Sequence, residues 1–303
     1  MSRIAYYLFL KPLSMLPLPI LYLLSNFMHA LFKVTGYRKS VVYGNLRRVF
    51  PEKSEKEIKK IADAFFANFC DLLVETIRLF SMPKAEILRR FKMKNADLFE
   101  HYAAKNQGVI VVAGHYANWE MAVLSCSMQI PYHGVAVYSP LKDPFFEKVI
   151  LASRSRFGMQ LLPKQELKTF YEEHHQELNV FYIAVDQSPS NPDYAHWTTF
   201  LGQDTSVFLG TEKYSKRYNY PVIFGKINRL RRGYYDMEFI LVVDDPSNTL
   251  PGEITERHTQ ILEKMILENP SNWLWTHRRW KHQRNKPTEQ AATEMTTDVQ
   301  SLT

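Results

Sequence analysis

The sequence predicts an α/β fold with a mixed, mostly parallel central sheet flanked by helices. Short apolar, β-branched runs recur between segments of helical periodicity. Ten- to fifteen-residue helical patterns separate them, as parallel crossover units require, although the last two runs are close enough to pair antiparallel. A chain of 303 residues, 46% hydrophobic and 23% charged, can bury a core without disulfide or metal staples. A mean hydropathy of −0.29 excludes a polytopic membrane protein.

The elements follow in chain order. No charged residue lies between Lys11 and Lys33, and Pro12–Phe32 is about as long as the roughly 20 residues that cross a bilayer core. Pro12, Pro17 and Pro19 interrupt the first half, and no small-residue cleavage site follows. Ile4–Val34 therefore reads as an uncleaved, membrane-associated helical anchor, with a buried core helix as the other reading. Lys33, Arg38, Lys39, Arg47 and Arg48 crowd behind it, which places the following domain on the cytoplasmic side. Residues 1–35 form the anchor, 36–285 the globular domain and 286–303 a disordered tail rich in Thr, Glu and Gln.

Within the globular domain, Glu52–Arg90 carries apolar residues every three or four positions, with a Ser54/Glu57 capping box and Pro83 as its stop. Gly108–Ala113, Gly134–Val137 and Asn179–Val185 read as strands, as do Val222–Asn228 and Tyr235–Val243. Helices are expected over Asn118–Met128, Asp143–Phe157, Leu167–His175, Glu212–Tyr218 and Ile254–Asn269. Cys70 and Cys126 sit in apolar helical stretches as reduced thiols, and two isolated cysteines supply no metal framework.

The net charge of +7 calls for an anionic partner: nucleic acid, phospholipid, a phosphorylated substrate or an acidic carrier protein. The segment from Gly114 through His115 to Glu120 directly follows the Gly108–Ala113 strand, at the carboxyl end where open α/β sheets bind ligands. With His115 in the turn and Glu120 in the first helical turn, the carboxylate can accept from one imidazole nitrogen and leave the other as a general base. The alternative is a histidine satisfying a buried backbone group, with Glu120 serving the helix dipole. Asp186 and Gln187, at the end of Asn179–Val185, form either a second polar cluster at this sheet edge or an ordinary turn. Arg154 and Arg156, two residues apart, point to different faces, one toward a phosphate and one toward solvent. Trp273, Trp275 and Trp280 with His277, Arg278, Arg279 and Lys281 read as a membrane-interface or phosphate-binding segment, or as a solvated amphipathic strip. No nucleic-acid fold signature accompanies them.

From Tyr37 to His282 these segments, in this order, resemble the lipid A late acyltransferases, the lauroyl/myristoyl family of lipopolysaccharide assembly. The resemblance rests on Tyr37-Arg38, Asn45-Leu46, Phe50-Pro51-Glu52, Gly114-His115 with Trp119-Glu120, and Tyr138 with Pro140 and Asp143-Pro144. It continues through Arg154 with Arg156, Asp186-Gln187, Phe200-Leu201-Gly202 and the tryptophan-rich block ending in Lys281. The His-x4-Glu motif alone is shared with glycerolipid acyltransferases at large, and the tryptophan block narrows it.

The resemblance implies a glycerolipid acyltransferase-like fold over 36–285 and acyl transfer without a covalent enzyme intermediate. His115 would deprotonate an acceptor hydroxyl for attack on an acyl thioester, and Glu120 would orient it. Arg154 and Arg156 would hold acceptor phosphate or steady the oxyanion. Asp186, Gln187 and Asn118 would line the substrate site. No metal or redox cofactor is implied, with acyl carrier protein or coenzyme A delivering the acyl chain. The acceptor would be a lipid A precursor at the cytoplasmic face of the bacterial inner membrane. Two departures stand out: Ser139 where members often carry Arg between Tyr138 and Pro140, and Gln187 where some carry His. They bear on the acceptor, which leaves another hydroxylated lipid, an aminolipid or lysophospholipid, as an alternative. A protein that merely binds anionic lipid accounts for the charge and the anchor but not for a His–Glu pair at a strand end.

Overall fold

A computed structural model describes residues 2–284. The expected tail from 286 lies outside the described residues. The chain opens with α1 (Ser2–Ala5), a π-turn over Tyr6–Leu10 and α2 (Lys11–Met15). Pro17 is extended, so the chain breaks there and restarts as α3 (Leu18–Thr35), which Gly36 ends in the left-handed conformation. Next come α4 (Lys39–Val49) and α5 (Glu55–Leu79), the latter opened by the Ser54/Glu57 capping box. This helix ends four residues before Pro83, which instead starts α6 (Lys84–Arg90), so the single long run expected over Glu52–Arg90 is two helices.

The alternating region comprises β1 (Phe91–Met93), α7 (Asp97–Ala103), β2 (Val109–Ala113), α8 (Trp119–Cys126), β3 (His133–Tyr138), α9 (Pro144–Arg154), β4 (Gln160–Pro163), α10 (Leu167–His174) and β5 (Asn179–Ala184). A hairpin of β6 (Ala195–Phe200) and β7 (Gln203–Phe208) follows, then α11 (Gly210–Tyr218), β8 (Val222–Arg231), β9 (Tyr234–Val243) and α12 (Glu253–Glu268). Seven strands form one sheet in the order β1-β9-β8-β2-β5-β3-β4. β8, β2, β5, β3 and β4 run parallel; β9 is antiparallel to β8, and β1 is parallel to β9. The predicted class and the closing antiparallel pair are therefore both present.

Both faces of the sheet are covered, as all-parallel regions require. In β2, Ile110 and Val112 pack with Phe65 of α5, Tyr171 of α10 and Leu262 of α12, while Val109 and Val111 pack with α3, α7 and α8 on the other side. β2 and β5 pair from Val109–Val180 to Ala113–Ala184, and Val185 N–H donates to the Ala113 carbonyl at 3.0 Å, which extends the ladder by one residue. The residues following both strands thereby emerge side by side. Cys70 and Cys126 are buried free thiols.

Helix α3 lies against α5 on one side only. Leu18, Leu21 and Ser25 are buried, whereas Leu23 and Phe27 are 68% and 65% exposed. Ile4, Leu8, Phe9 and Met15 extend the exposed apolar surface along the preceding turns. By length and composition, α3 is the one helix among the described residues able to cross a membrane.

Candidate active site

His115 follows β2 after a single glycine. A Cβ on Gly114 would lie 2.7 Å from Leu262 Cδ1 and 3.3 Å from Asp186 Oδ2, so a larger residue would have to displace the Leu262 side chain for the turn to pass this close to α12. The Asp186 carboxylate holds the turn from the other strand. Oδ2 accepts from the His115 backbone N–H at 2.7 Å, and Oδ1 lies 2.6 Å from His115 Nδ1. Trp273 Nε1–H donates to Oδ2 at 2.8 Å, giving this buried carboxylate three donors. Because a carboxylate only accepts, Nδ1 carries the proton, and in the neutral ring Nε2 keeps its lone pair. The Gln187 side-chain nitrogen lies 3.3 Å from that lone pair, and the Trp119 ring stands edge-on to the imidazole at 5.2 Å.

The C-terminal strap completes the enclosure. Tyr116 and Trp273 form an antiparallel bridge, Leu274 N–H donates to the His115 carbonyl at 3.1 Å, and Ala117 N–H donates to the Asn272 carbonyl at 2.8 Å. Ala117 takes a positive φ of 52°, an uncommon state for a residue with a Cβ, and these bonds hold it there. Beside the turn, a small pocket of about 20 Å³ is lined by Phe65, Phe69, Leu72, Trp119 and Trp273, with Arg229 among its polar groups.

Burial works against a charged His115, but the Asp186 carboxylate outweighs it, helped by the field of Glu120, and the imidazole is held above its ordinary 6.5. Burial likewise opposes ionisation of Asp186, yet the His115 charge and the three hydrogen bonds hold its carboxyl below the usual range. The pair therefore favours a carboxylate beside an imidazole ready to accept a proton. Glu120 is engaged elsewhere: Arg154 donates to it from Nε at 2.9 Å and Nη2 at 2.6 Å, and Trp119 Nε1 donates at 3.2 Å.

A model of the bacterial lipid A biosynthesis acyltransferases matches residues 2–282. The chain belongs to this family. It is thereby an O-acyltransferase. A lipid A biosynthesis lauroyltransferase of Escherichia coli K12 is 24% identical over 269 residues, covering 88% of this chain and 87% of that one. A lipid A biosynthesis palmitoleoyltransferase of the same organism is 23% identical over 269 residues, covering 88% of this chain and 86% of its own. A lipid A biosynthesis acyltransferase of Haemophilus influenzae is 24% identical over 271 residues, with 88% and 86% covered.

Within this acyltransferase, the residues singled out by sequence separate into two groups. His115, Asp186 and Gln187 converge. The expected hydrogen bond from imidazole to Glu120 is not made, because Asp186 reaches Nδ1 from the adjacent strand while Glu120 receives the Arg154 fork. Arg154 is thus ion-paired with Glu120 through Nε and Nη2. Arg156 is not directed at solvent alone, since its Nη2 donates to the carbonyls of Leu79 and Met82, at 2.7 and 2.9 Å. Asn118 is fully buried and caps α8, its Oδ1 accepting from Met121 N–H at 2.8 Å, so it cannot touch a substrate in this conformation.

The tryptophan-rich block is neither a surface strip nor a membrane-interface segment. Trp273 is 2% and Trp275 0% exposed, and their indole N–H groups are satisfied by Asp186 and the Pro270 carbonyl. Arg279 is buried as well, donating to the Ser206 carbonyl. Burial lowers its pKa to about 10. Sequence reading missed Trp273 as a partner of Asp186 and His277 as the acceptor of the Ser188 N–H at 3.2 Å. The only local signal was the density of Trp and His in that block.

Proposed function

We propose that this chain transfers a fatty acyl group from an acyl carrier protein thioester to a hydroxyl of a lipid A precursor, at the cytoplasmic face of the bacterial inner membrane. The single observation that carries the mechanism is the His115 imidazole, its Nδ1–H held by Asp186 and its Nε2 lone pair facing the Gln187 amide. In the proposed reaction Nε2 removes the acceptor's hydroxyl proton as the oxygen forms a bond to the thioester carbonyl carbon. The carbon–sulfur bond then breaks, and the imidazolium returns its proton to the leaving thiolate. Asp186 fixes the tautomer and stabilises the imidazolium. Glu120 adds negative field without a hydrogen bond to the ring, which refines the expected His–Glu dyad into a histidine served by two carboxylates. Gln187, 3.3 Å from Nε2, is suited to donate to the developing oxyanion once the acceptor has entered. The two substrates suffice for this chemistry.

The relatives, all lipid A biosynthesis acyltransferases, support the lipid acceptor. For the donor, an open depression on α4 and α5 is lined by Lys39, Lys56 and Lys59 beside an Arg47–Glu55 ion pair, and its three lysines supply the charge that suits an acidic carrier protein. The exposed apolar face of α1 to α3 suits seating on a bilayer, beside which both substrates can be presented.

The test is mass spectrometry of lipids from a host lacking the corresponding activity, expressing wild type or His115→Ala, followed by assays of membranes with acyl carrier protein thioesters. Addition of one acyl chain to a lipid A precursor by wild type but not by the variant supports the proposal. Acylation that survives His115→Ala rejects the base, and acylation of a different lipid rejects the acceptor.

A further inference from the structure

Helix α5 carries two buried acids one turn apart that stand outside the reacting groups, Asp71 and Glu75. Asp71 has counter-charges: Arg229 donates to it at 2.6 Å and Arg232 Nε at 2.9 Å. Glu75 has none. Its carboxylate, with no exposed surface, accepts from three neutral donors on three elements: Tyr22 Oη of α3 at 2.8 Å, Tyr235 Oη of β9 at 2.7 Å and Asn118 Nδ2 at 2.6 Å. A buried carboxyl without a cation costs stability relative to an apolar side chain, so packing alone gives no reason for it.

What Glu75 holds is the turn that bears the active histidine. Asn118 lies three residues after His115 and two before Glu120, and with its Nδ2 fixed by Glu75 its Oδ1 is aimed at the Met121 N–H. The preceding Ala117 holds a positive φ, so the turn relaxes if its downstream anchor is lost. On the opposite side, Tyr22 ties the same carboxylate to the helix whose outer face is apolar and exposed. Resting on the reading of His115 as the base, we propose that Glu75 is a positioning residue. Through Asn118 it holds the His115–Glu120 turn in its reactive geometry, and through Tyr22 it links that turn to the seating of α3.

Burial, with Asp71 adding to it, pushes the Glu75 carboxyl up, while the Tyr235, Tyr22 and Asn118 bonds oppose that shift.

The experiment uses the full-length enzyme in micelles and compares wild type, Asn118→Asp, the double variant Glu75→Gln/Asn118→Asp, and Tyr22→Phe. Asn118→Asp keeps the cap but replaces the amide donor with a second buried acid facing Glu75. It is expected to lower kcat roughly 10- to 100-fold, the range a misplaced reacting group produces, with KM unchanged. Adding Glu75→Gln restores a donor across the same contact and is expected to recover most of that loss, which a merely structural role does not predict. Tyr22→Phe, which removes one hydroxyl and leaves the ring, is expected to raise amide exchange over residues 114–122 and to lower kcat. Failure of the double variant to exceed Asn118→Asp overturns the Asn118 contact. If Asn118→Asp does not fold, Tyr22→Phe decides alone: exchange over 114–122 identical to wild type overturns the proposal. His115→Ala, assayed alongside, separates this outcome from failure of the base assignment, because exchange is read without turnover.

Discussion

An imidazole serves as a base only if one nitrogen is kept protonated and the other free, and in the proposed mechanism Asp186 rather than Glu120 enforces that division at His115. The two carboxylates differ in what they touch: Asp186 bonds the ring and the backbone beside it, and Glu120 acts on the ring through its field while neutralising Arg154. Glu120→Gln keeps an acceptor for Arg154 but removes one negative charge near the ring, and it leaves the Arg154 charge uncompensated. Both effects lower the His115 pKa. Since the base must be neutral, activity is lost as pH falls through that pKa, and the acid limb of kcat/KM moves to lower pH in the variant. A shift of a few tenths to about one unit is expected, one unit being about 1.4 kcal/mol of differential interaction. A pH–rate profile that leaves the limb in place, or moves it upward, contradicts this role of Glu120.

Among the elements, those with strong local signals were legible in the sequence, and those defined by distant partners were not. The β2 run, the capping box of α5, the helix α9 and the closing pair β8–β9 all follow from periodicity and cap chemistry within a few residues. The strands β1 and β4, of three and four residues, are too short to show a period. The β6–β7 hairpin is hidden by its polar alternation, with Leu201 and Gly202 supplying the two positive-φ turn positions. In the site, the five-residue spacing of His115 and Glu120 was visible, but the ring's actual partner lies 71 residues away and becomes adjacent only when β5 pairs with β2. Trp273 is 87 residues from the carboxylate that receives its indole proton, so composition alone made the block look like surface. Ser54→Ala removes the side-chain half of the α5 cap and is expected to cost about 1 kcal/mol of stability without altering kcat, as measured by denaturant unfolding beside the assay.

At the scale of the molecule, the sheet presents the edge that carries His115 under a strap of C-terminal residues, while the N-terminal helices present an apolar face outward. Leu23 and Phe27 contribute no core contacts commensurate with their size, and full burial of each in a bilayer is worth roughly 1.5–3 kcal/mol. The double change Leu23→Ser/Phe27→Ser is therefore expected to weaken co-sedimentation with anionic vesicles by at least an order of magnitude, while unfolding in detergent is little changed. Unaltered vesicle binding removes that face from the membrane contact. The helix is not a detached tether, because Ser25 and Tyr22 bond to Asp71 and Glu75 of α5, so its seating and the order of the site belong to one structure.

The most direct test of the central claim, a His115 base oriented by Asp186, is the pH dependence of kcat/KM for Asp186→Asn against wild type with an acyl carrier protein thioester. Wild type is predicted to show an acid limb above pH 6.5, the ordinary histidine value that His115 exceeds. Asparagine removes the charge that raises the imidazole and can stabilise the wrong tautomer, so the variant is predicted to lose roughly 10²–10⁴-fold in kcat/KM, with its limb moved to lower pH. An Asp186→Asn enzyme with the wild-type rate and limb would contradict the account and return the orienting role to another group.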